Sequence, residues 1–129
     1  MKTLMDFDFK RPAILNVGLF TPGKNQGELF EIARKNPDND YHFIGNQAPN
    51  FRDYWEPLMK NKPDNCIIWG ERTDVDMFYQ AADEFYFTSK FELNPLVIKE
   101  ALSWRLPVKM YKLPTYLDDY DNNPLVTYL

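Results

Sequence analysis

The chain has 129 residues, of which 44% are hydrophobic and 26% charged, and this composition is typical of one compact globular domain. Its formal net charge of -4 argues against a general role in binding nucleic acid or a membrane surface. No apolar run approaches the roughly 20 residues that a membrane-spanning helix needs, so we expect a cytoplasmic protein without a transmembrane segment.

Residues 1–12 lack the sustained apolar stretch of a signal peptide, and we expect them to be a flexible lead-in. After them, short apolar runs alternate with helical patterns, an order typical of an α/β protein with a parallel sheet flanked by helices. The single cysteine, Cys66, excludes an intrachain disulfide and is expected to be buried in the third strand. Strands are predicted at residues 13–19, 41–45, 66–69, 84–88 and 107–111, with a sixth candidate in residues 125–129.

Helices are predicted between the strands, at residues 26–35, 73–82 and 94–104. In the second of them, Thr73 and Asp76 fit a capping box. In the third, Asn94 is the expected N-cap, and Pro95 takes the first helical position, where its missing N–H group does no harm.

Two segments carry less regular patterns. Pro57 should break or kink any helix that begins at residue 50. Residues 116–123 read Tyr-Leu-Asp-Asp-Tyr-Asp-Asn-Asn and predict a solvated acidic loop, because their spacing does not match that of a metal site.

A turn with glycines and a lysine follows the first strand. From Gly18 to Lys24 it nearly matches the G-x-x-x-x-G-K loop that holds phosphates in ATPases and GTPases. In that loop a serine or threonine follows the lysine and binds magnesium, but Asn25 stands here. The fourth strand also ends in Thr88 and Ser89, where a metal-binding carboxylate would be expected. These differences argue against a triphosphate site.

The same turn still favours an anion. A strand leads into a helix whose first N–H groups have no partner within the helix, and Lys24 adds a positive charge there. Edges of this kind, at the carboxyl end of a parallel sheet, commonly hold phosphate groups. The alternative is an exposed lysine in an ordinary turn, and this segment alone does not distinguish the two.

A second segment, residues 89–108, contains Glu92 and Glu100 with seven residues between them, at the start of a helix that follows a strand. This spacing resembles the E-x(7)-E motif of retaining glycosyltransferases, in particular of glycosyltransferase family 4. The further matches to that family's motif are Ser89, Leu96, Ala101, Pro107 and Val108.

The resemblance continues along the chain in the same order. The segment NVGLFTPGKNQ is similar to the family's V-G-R-x-x-x-x-K-G segment, with Lys24 on its lysine. The segment YHFIGNQ is similar to a V-G-D-G motif after the second strand, and residues 67–89 resemble the family's F-x-G to A-D and P-S segments. Together the matches extend from about Ala13 to Pro107.

The resemblance implies a GT-B fold, in which two Rossmann-like domains face each other across a cleft. These motifs belong to the C-terminal domain, which binds the nucleotide-sugar donor. We therefore expect residues 1–129 to be a single Rossmann-like nucleotide-sugar-binding domain, one half of a GT-B glycosyltransferase. The N-terminal acceptor domain and the last C-terminal helices are expected to be absent from this sequence.

The resemblance also assigns the residues that would bind the donor diphosphate. Gly18 and Lys24 correspond to the family's glycine and lysine, and Lys24 would neutralise charge that grows as the glycosidic bond breaks. The N–H groups of Leu96 and Val97, in the first turn of their helix, would hold the same phosphates.

The remaining roles concern the sugar and the nucleoside. Glu92 would face the transferred sugar as the catalytic residue, and Glu100 would accept hydrogen bonds from the ribose hydroxyls. Trp69 and Arg72 would border the base. The single histidine, His42, is expected to be a strand residue and no catalytic base.

Two departures from the family pattern put donor binding in question. Leu19 replaces the arginine that follows the family's glycine, so one diphosphate contact is lost unless another cation substitutes. Leu93, Asn94 and Pro95 replace glycines that let the backbone approach the donor closely.

The leading hypothesis is the donor-binding domain of a metal-independent, retaining glycosyltransferase without a cofactor, using a UDP-, GDP- or ADP-sugar and an unknown acceptor. Alone, the domain is expected to have weak or no transferase activity, and it could pair as a homodimer to cover surface. The first alternative is a non-catalytic Rossmann-like binding or interaction module that has lost the donor chemistry. The second is an ATPase-like phosphate-binding domain.

Overall fold

Six strands form one parallel sheet in the computed structural model, which describes residues 12–129. Their order across the sheet is β3-β2-β1-β4-β5-β6, and every neighbouring pair is parallel. Because the order changes direction next to β1, the sheet is doubly wound, and the carboxyl ends of its strands share one edge. In chain order the strands are β1 (Ala13–Val17), β2 (Asp40–Ile44), β3 (Cys66–Gly70), β4 (Glu84–Phe87), β5 (Val108–Met110) and β6 (Val126–Tyr128).

Within residues 12–129, four α-helices connect the strands, and a 3-10 turn at Pro49–Phe51 leads into the second of them. The predicted fold class, a Rossmann-like parallel sheet flanked by helices, is confirmed, as are the predicted strands and helices to within two residues at each end. The helices are α1 (Gln26–Lys35), α2 (Arg52–Lys60), α3 (Val75–Ala81) and α4 (Leu96–Ser103).

The sheet separates two apolar clusters. Phe30 of α1 and Phe43 of β2 are buried in the cluster on one face, and Phe78 of α3 is buried in the cluster on the other. Neighbouring residues of the central strand, Ile14 and Leu15, belong to different clusters because side chains alternate along a strand. Burial on both faces explains why β1 is apolar except for Asn16, whose buried side-chain amide donates to the Tyr86 carbonyl at 2.9 Å.

The beginnings of α3 and α4 differ from the predictions. The N-cap of α3 is Asp74, and the predicted capping box of Thr73 and Asp76 is wrong. The N-cap of α4 is Pro95 with ψ 108°, so the prediction of Asn94 as N-cap is wrong as well. The buried Pro95 keeps an extended backbone, and its carbonyl accepts the first helical hydrogen bond.

Helix α2 runs through Pro57, so this proline does not break the helix, whereas the kink predicted as the other outcome stays a prediction. Proline removes the N–H group that would bond to the carbonyl of Asp53. Both residues are exposed, and water can therefore satisfy that carbonyl at little cost in stability.

The remaining expectations concern the ends and the loops. The predicted lead-in, residues 1–12, lies outside the described residues apart from Pro12. Residues 116–123 are a mostly exposed loop, as predicted, although Tyr120 is buried and its ring centre lies 5.6 Å from that of Tyr116. Cys66 is buried as predicted. None of the helices in residues 12–129 has the length and apolar character that crossing a bilayer requires.

Candidate functional site

The loop between β1 and α1 is held against the end of β2 by backbone hydrogen bonds. The Gly18 amide donates to the Ile44 carbonyl at 2.9 Å, and the Phe20 amide donates to the Asn46 carbonyl at 3.1 Å. At Gly45, an added Cβ would lie 1.8 Å from the Gly18 carbonyl oxygen. The glycine at position 45 therefore allows the two segments to meet and fixes the backbone at Gly18.

The turn into α1 is fixed by Asn25 and Gln26. Asn25 adopts a left-handed conformation (φ 57°, ψ 39°), and its side-chain amide donates to Glu28 Oε2 at 2.7 Å. The Gln26 side chain is fully buried, and its Nε2 donates to the Leu19 carbonyl at 2.9 Å. These contacts place Lys24 directly before the first turn of α1.

Two buried hydroxyl side chains at the end of β4 hold the same loop. Thr88 Oγ1 donates to the Asn25 carbonyl at 2.9 Å. Ser89 Oγ lies 3.1 Å from the Gly23 carbonyl and 3.0 Å from Glu92 Oε1, and it can donate its one proton to either oxygen. At the position where an ATPase would carry a metal-binding carboxylate, this chain thus has anchors for the loop that carries Lys24.

The Lys24 ammonium group forms an ion pair with the Glu92 carboxylate, although the two residues are far apart in the sequence. Their side chains are 31% and 14% exposed, so the pair is partly shielded from water. Lys24 Nζ also lies 5.5 Å from the centre of the Phe87 ring. The structure thus brings the predicted diphosphate-binding lysine and the predicted catalytic glutamate into direct contact.

The segment between β5 and β6 holds the backbone around Glu92. Thr115 Oγ1 donates to the Glu92 carbonyl at 2.8 Å, and the Leu117 amide donates to the Leu93 carbonyl at 2.7 Å. Burial, and then the nearby Glu92 carboxylate, raise the pKa of the Tyr116 hydroxyl. No sequence pattern pointed to this segment, because its contacts join residues that the chain separates by more than 20 positions.

The first turn of α4 follows the loop that carries Glu92. Leu96 and Val97 open this helix, where the first N–H groups have no acceptor within the helix, and the Leu96 side chain is exposed. Glu100 lies about one turn further along α4 and is also exposed. Burial, and then the Glu100 carboxylate, raise the pKa of the Tyr79 hydroxyl, so Glu100 lies close to α3.

A cavity of about 360 Å³ opens at the carboxyl ends of β1, β2 and β3. Arg72 lines it and is held in place by Asp74, with Nε and Nη2 donating to the two carboxylate oxygens at 2.8 and 2.6 Å. This guanidinium group holds the pKa of the Asp74 carboxyl below its ordinary value. The other residues that line the cavity are Val17, Gly18, Leu19, Ile44, Gly45, Asn46, Glu71 and Val75.

Trp69 was predicted to border the base together with Arg72. It is not among the residues that line the cavity. Its indole Nε1 donates to His42 Nδ1 at 3.0 Å, and its ring centre lies 5.0 Å from that of Phe78. The Arg72 guanidinium carbon lies 5.5 Å from the centre of the indole ring. His42 is a buried strand residue, as predicted, and Trp69 supports Arg72 by a cation–π contact.

The predicted site residues therefore fall into two neighbouring groups at one edge of the sheet. Gly18 and Arg72 share the cavity, and Lys24 contacts Glu92. The start of α4 follows Glu92 by four positions, and Gly18 joins the two groups because it begins the loop that carries Lys24.

Comparisons with known proteins agree with this architecture. A family model described as glycosyl transferases group 1 matches residues 6–120. The processive diacylglycerol alpha-glucosyltransferase of Acholeplasma laidlawii is 27% identical over 116 residues, which are 88% of this chain and 35% of the relative. The chain thus spans about a third of the length of this curated relative.

Solved structures show the same fold. Anabaena Alr3699/HepE in complex with UDP-glucose superposes with a TM-score of 0.75 at 22% identity, over 82% of this chain and 31% of that one. TarM superposes with a TM-score of 0.76 at 18% identity, over 92% of this chain and 25% of that one. WaaG, a glycosyltransferase involved in lipopolysaccharide biosynthesis, superposes with a TM-score of 0.66 at 18% identity, over 97% of this chain and 35% of that one. The described fold is that of a GT-B glycosyltransferase domain, and the chain belongs to the group 1 family of glycosyl transferases.

Proposed function

We propose that this chain is the donor-binding domain of a retaining glycosyltransferase, which transfers a sugar from a nucleoside diphosphate to a separate acceptor. The observation that carries the proposal is the contact of Lys24 with Glu92 at the carboxyl edge of the sheet, directly before the start of α4. In this member of the family, a lysine and a glutamate thus lie close to the N-terminus of a helix.

The donor diphosphate is assigned to Lys24 and to the first turn of α4. When the bond between the sugar and the diphosphate breaks, negative charge grows on the leaving phosphate oxygen. The Lys24 ammonium group and the N–H groups of Leu96 and Val97 would stabilise this charge, so no metal ion is required. Gly18 leaves room for the diphosphate beside the loop backbone.

The nucleoside is assigned to the cavity beside Gly18. Arg72 lines this cavity and would border the base, with Trp69 supporting the guanidinium group from behind. Glu100, on the exposed side of α4, would accept hydrogen bonds from the two ribose hydroxyls.

Glu92 would face the transferred sugar, because it lies next to the lysine assigned to the phosphates. The neighbouring HepE structure contains UDP-glucose, and the curated relative is named as a glucosyltransferase. UDP-glucose is therefore the first donor to test, with GDP- and ADP-sugars as the alternatives. Weak or absent transfer by this domain alone, a separate acceptor domain and a cytoplasmic location stay predictions.

A titration of the 15N-labelled chain with UDP, GDP and ADP, followed by NMR, tests the proposal. At least one nucleotide should shift the amide signals of Lys24, Leu96 and Glu100 without added magnesium. If none of the three shifts them, the site is wrongly assigned, and binding that requires magnesium would favour the ATPase-like alternative.

The second candidate is a non-catalytic binding module. Leu19 favours it, because this apolar side chain lines the cavity and stands at the position where the V-G-R segment of the family motif has its arginine. Glu100→Gln separates the two candidates. The donor-binding site should lose about tenfold in nucleotide affinity, since a charged acceptor of two hydrogen bonds is replaced. In a module without donor chemistry, Glu100→Gln should leave the nucleotide affinity unchanged.

A further inference from the structure

The lysine and the glutamate that are assigned to different parts of the donor form an ion pair with each other. Lys24 Nζ pairs with Glu92 Oε1, and Ser89 Oγ lies 3.0 Å from the same oxygen. Glu92 is the more buried of the two side chains, at 14% exposure. A carboxylate in this position needs hydrogen-bond donors, because burial without partners destabilises a charge.

Binding of a diphosphate disturbs this arrangement. The phosphates attract Lys24, and they also bring negative charge close to Glu92, which repels them. Glu92 then loses a cationic partner and requires other donors. The hydroxyl groups of a sugar attached to the diphosphate can supply them, whereas a bare nucleoside diphosphate cannot.

We propose that the Lys24–Glu92 pair makes the site select the intact sugar donor over the nucleoside diphosphate product. The diphosphate takes Lys24 from Glu92, and the sugar hydroxyls take the place of Lys24 on the carboxylate. After transfer the hydroxyls leave with the sugar, and Glu92 draws Lys24 back from the diphosphate, which promotes product release. This inference rests on the proposed function and adds a specificity role to the pair.

The anchors around the site allow the exchange with side-chain motion alone. The Gly23 carbonyl accepts a hydrogen bond from the Lys90 amide at 3.1 Å, which fixes the backbone directly before Lys24. The Glu92 carbonyl is fixed by Thr115 Oγ1 at 2.8 Å. Both backbones therefore stay in place while the long lysine side chain turns between a carboxylate and a phosphate.

The test compares the dissociation constants of UDP and UDP-glucose, measured by isothermal titration calorimetry, for wild type and Glu92→Gln. Glutamine keeps the size of the side chain and removes its charge. We expect UDP to bind about fivefold more tightly to the variant and UDP-glucose to bind no more tightly than to wild type. The ratio of the two constants should therefore fall about fivefold or more.

Glu31→Gln is the matched control, because it removes the same charge from a pair with Arg34 on the exposed side of α1. It should change neither constant. Glu92→Asp is the second variant, which keeps the charge but shortens the side chain. For this variant we expect a smaller fall of the same ratio. If thermal melting shows that Glu92→Gln does not fold, the test rests on Glu92→Asp.

Equal changes in both constants for the Glu92 variants, or weaker binding of UDP, would overturn the exchange and leave the proposed function in place. The same comparison is made with GDP and ADP and their glucose conjugates. Failure of all three nucleotides and their conjugates to bind the wild-type chain would overturn the proposed function and the exchange together.

Discussion

At Gly45, two backbone segments meet so closely that no side chain fits between them. The Cβ of an alanine would lie 1.8 Å from the Gly18 carbonyl oxygen, and the hydrogen bonds of the Gly18 and Phe20 amides to Ile44 and Asn46 hold the backbone on both sides of that carbonyl. Single residues of this kind decide whether the loop that carries Lys24 can take its position.

Gly45→Ala should therefore lower the free energy of unfolding by about 3 kcal/mol, since overpacking against backbone forces the segments apart. Urea denaturation followed by circular dichroism measures the change. Gly70→Ala is the control: Gly70 has φ 75° and no atom within 4 Å of an added Cβ. Only the cost of a left-handed alanine remains there, about 1 kcal/mol. Equal losses in the two variants would contradict the close approach at Gly45.

Burial raises the pKa of the Cys66 thiol from 9.0 to about 12. The neutral thiol is therefore favoured in the folded state, and the unfolded state loses its proton first as the pH rises. The stabilising contribution is fully present below pH 9 and is lost between about pH 9 and 12.

We predict that the free energy of unfolding falls by about 2 kcal/mol more between pH 8 and 11 for wild type than for Cys66→Ala, which has no thiol to titrate. Urea denaturation at several pH values in that window provides the measurement. The alanine variant starts from lower stability at pH 8, so only the two slopes are compared. Parallel slopes would show that the thiol ionises equally in both states.

Among the elements, the segment between β5 and β6 supports the site through backbone contacts. It contributes no charged group to the Lys24–Glu92 pair, but Thr115 fixes the Glu92 carbonyl, and the Leu117 amide fixes the next carbonyl of the same loop. The position of Glu92 thus depends on a segment that follows it by more than 20 residues.

Thr115→Val removes the hydroxyl that donates to the Glu92 carbonyl and keeps the shape of the side chain. We expect UDP-glucose to bind about fivefold more weakly, because a neutral hydrogen bond contributes about 1 kcal/mol. Calorimetric titration gives the affinity, and thermal melting shows whether the fold is retained. Thr127→Val, on an exposed position of β6, is the matched control. A loss of affinity in the control alone, or in neither variant, would contradict the role of Thr115.

The strands and helices themselves were largely predictable, because periodic apolar residues mark each of them. Some of their ends were not predictable. Asn94 is a favoured N-cap residue, but the neighbouring Pro95 is buried and takes that position. A proline usually interrupts a helix, but on an exposed helix face the carbonyl that loses its hydrogen bond is accessible to water. Both cases reflect local preferences that tertiary contacts or solvent override.

For the whole molecule, the sequence predicted a parallel sheet and the residues at its carboxyl edge, but it did not predict which of them touch. The Lys24–Glu92 contact follows from the pairing of β1 with β4, and strand order depends on the packing of the complete chain. The anchors Thr88, Ser89 and Thr115 were unassigned for the same reason. Each of the three contacts a backbone carbonyl, which no side-chain motif encodes, and Ser89 also contacts the Glu92 carboxylate.

The surface beside the site is apolar. Phe91 and Leu93 flank Glu92, Leu96 begins α4, and Leu117 is bonded to the Leu93 carbonyl; all four side chains are strongly exposed. Exposed apolar surface of this kind is typical of a face that meets another domain or molecule. A separate acceptor domain stays a prediction, and this face is where we propose that it would pack.

The central claim is that Lys24 binds the diphosphate of a sugar nucleotide. Calorimetric titration of UDP-glucose into wild type, Lys24→Met and Lys60→Met tests it most directly, since methionine is also unbranched and lacks only the terminal charged group. Lys60 lies on the exposed side of α2 and serves as the control. We predict that Lys24→Met weakens binding at least about tenfold, whereas Lys60→Met leaves it unchanged. Equal affinity of Lys24→Met and wild type for UDP-glucose would contradict the account.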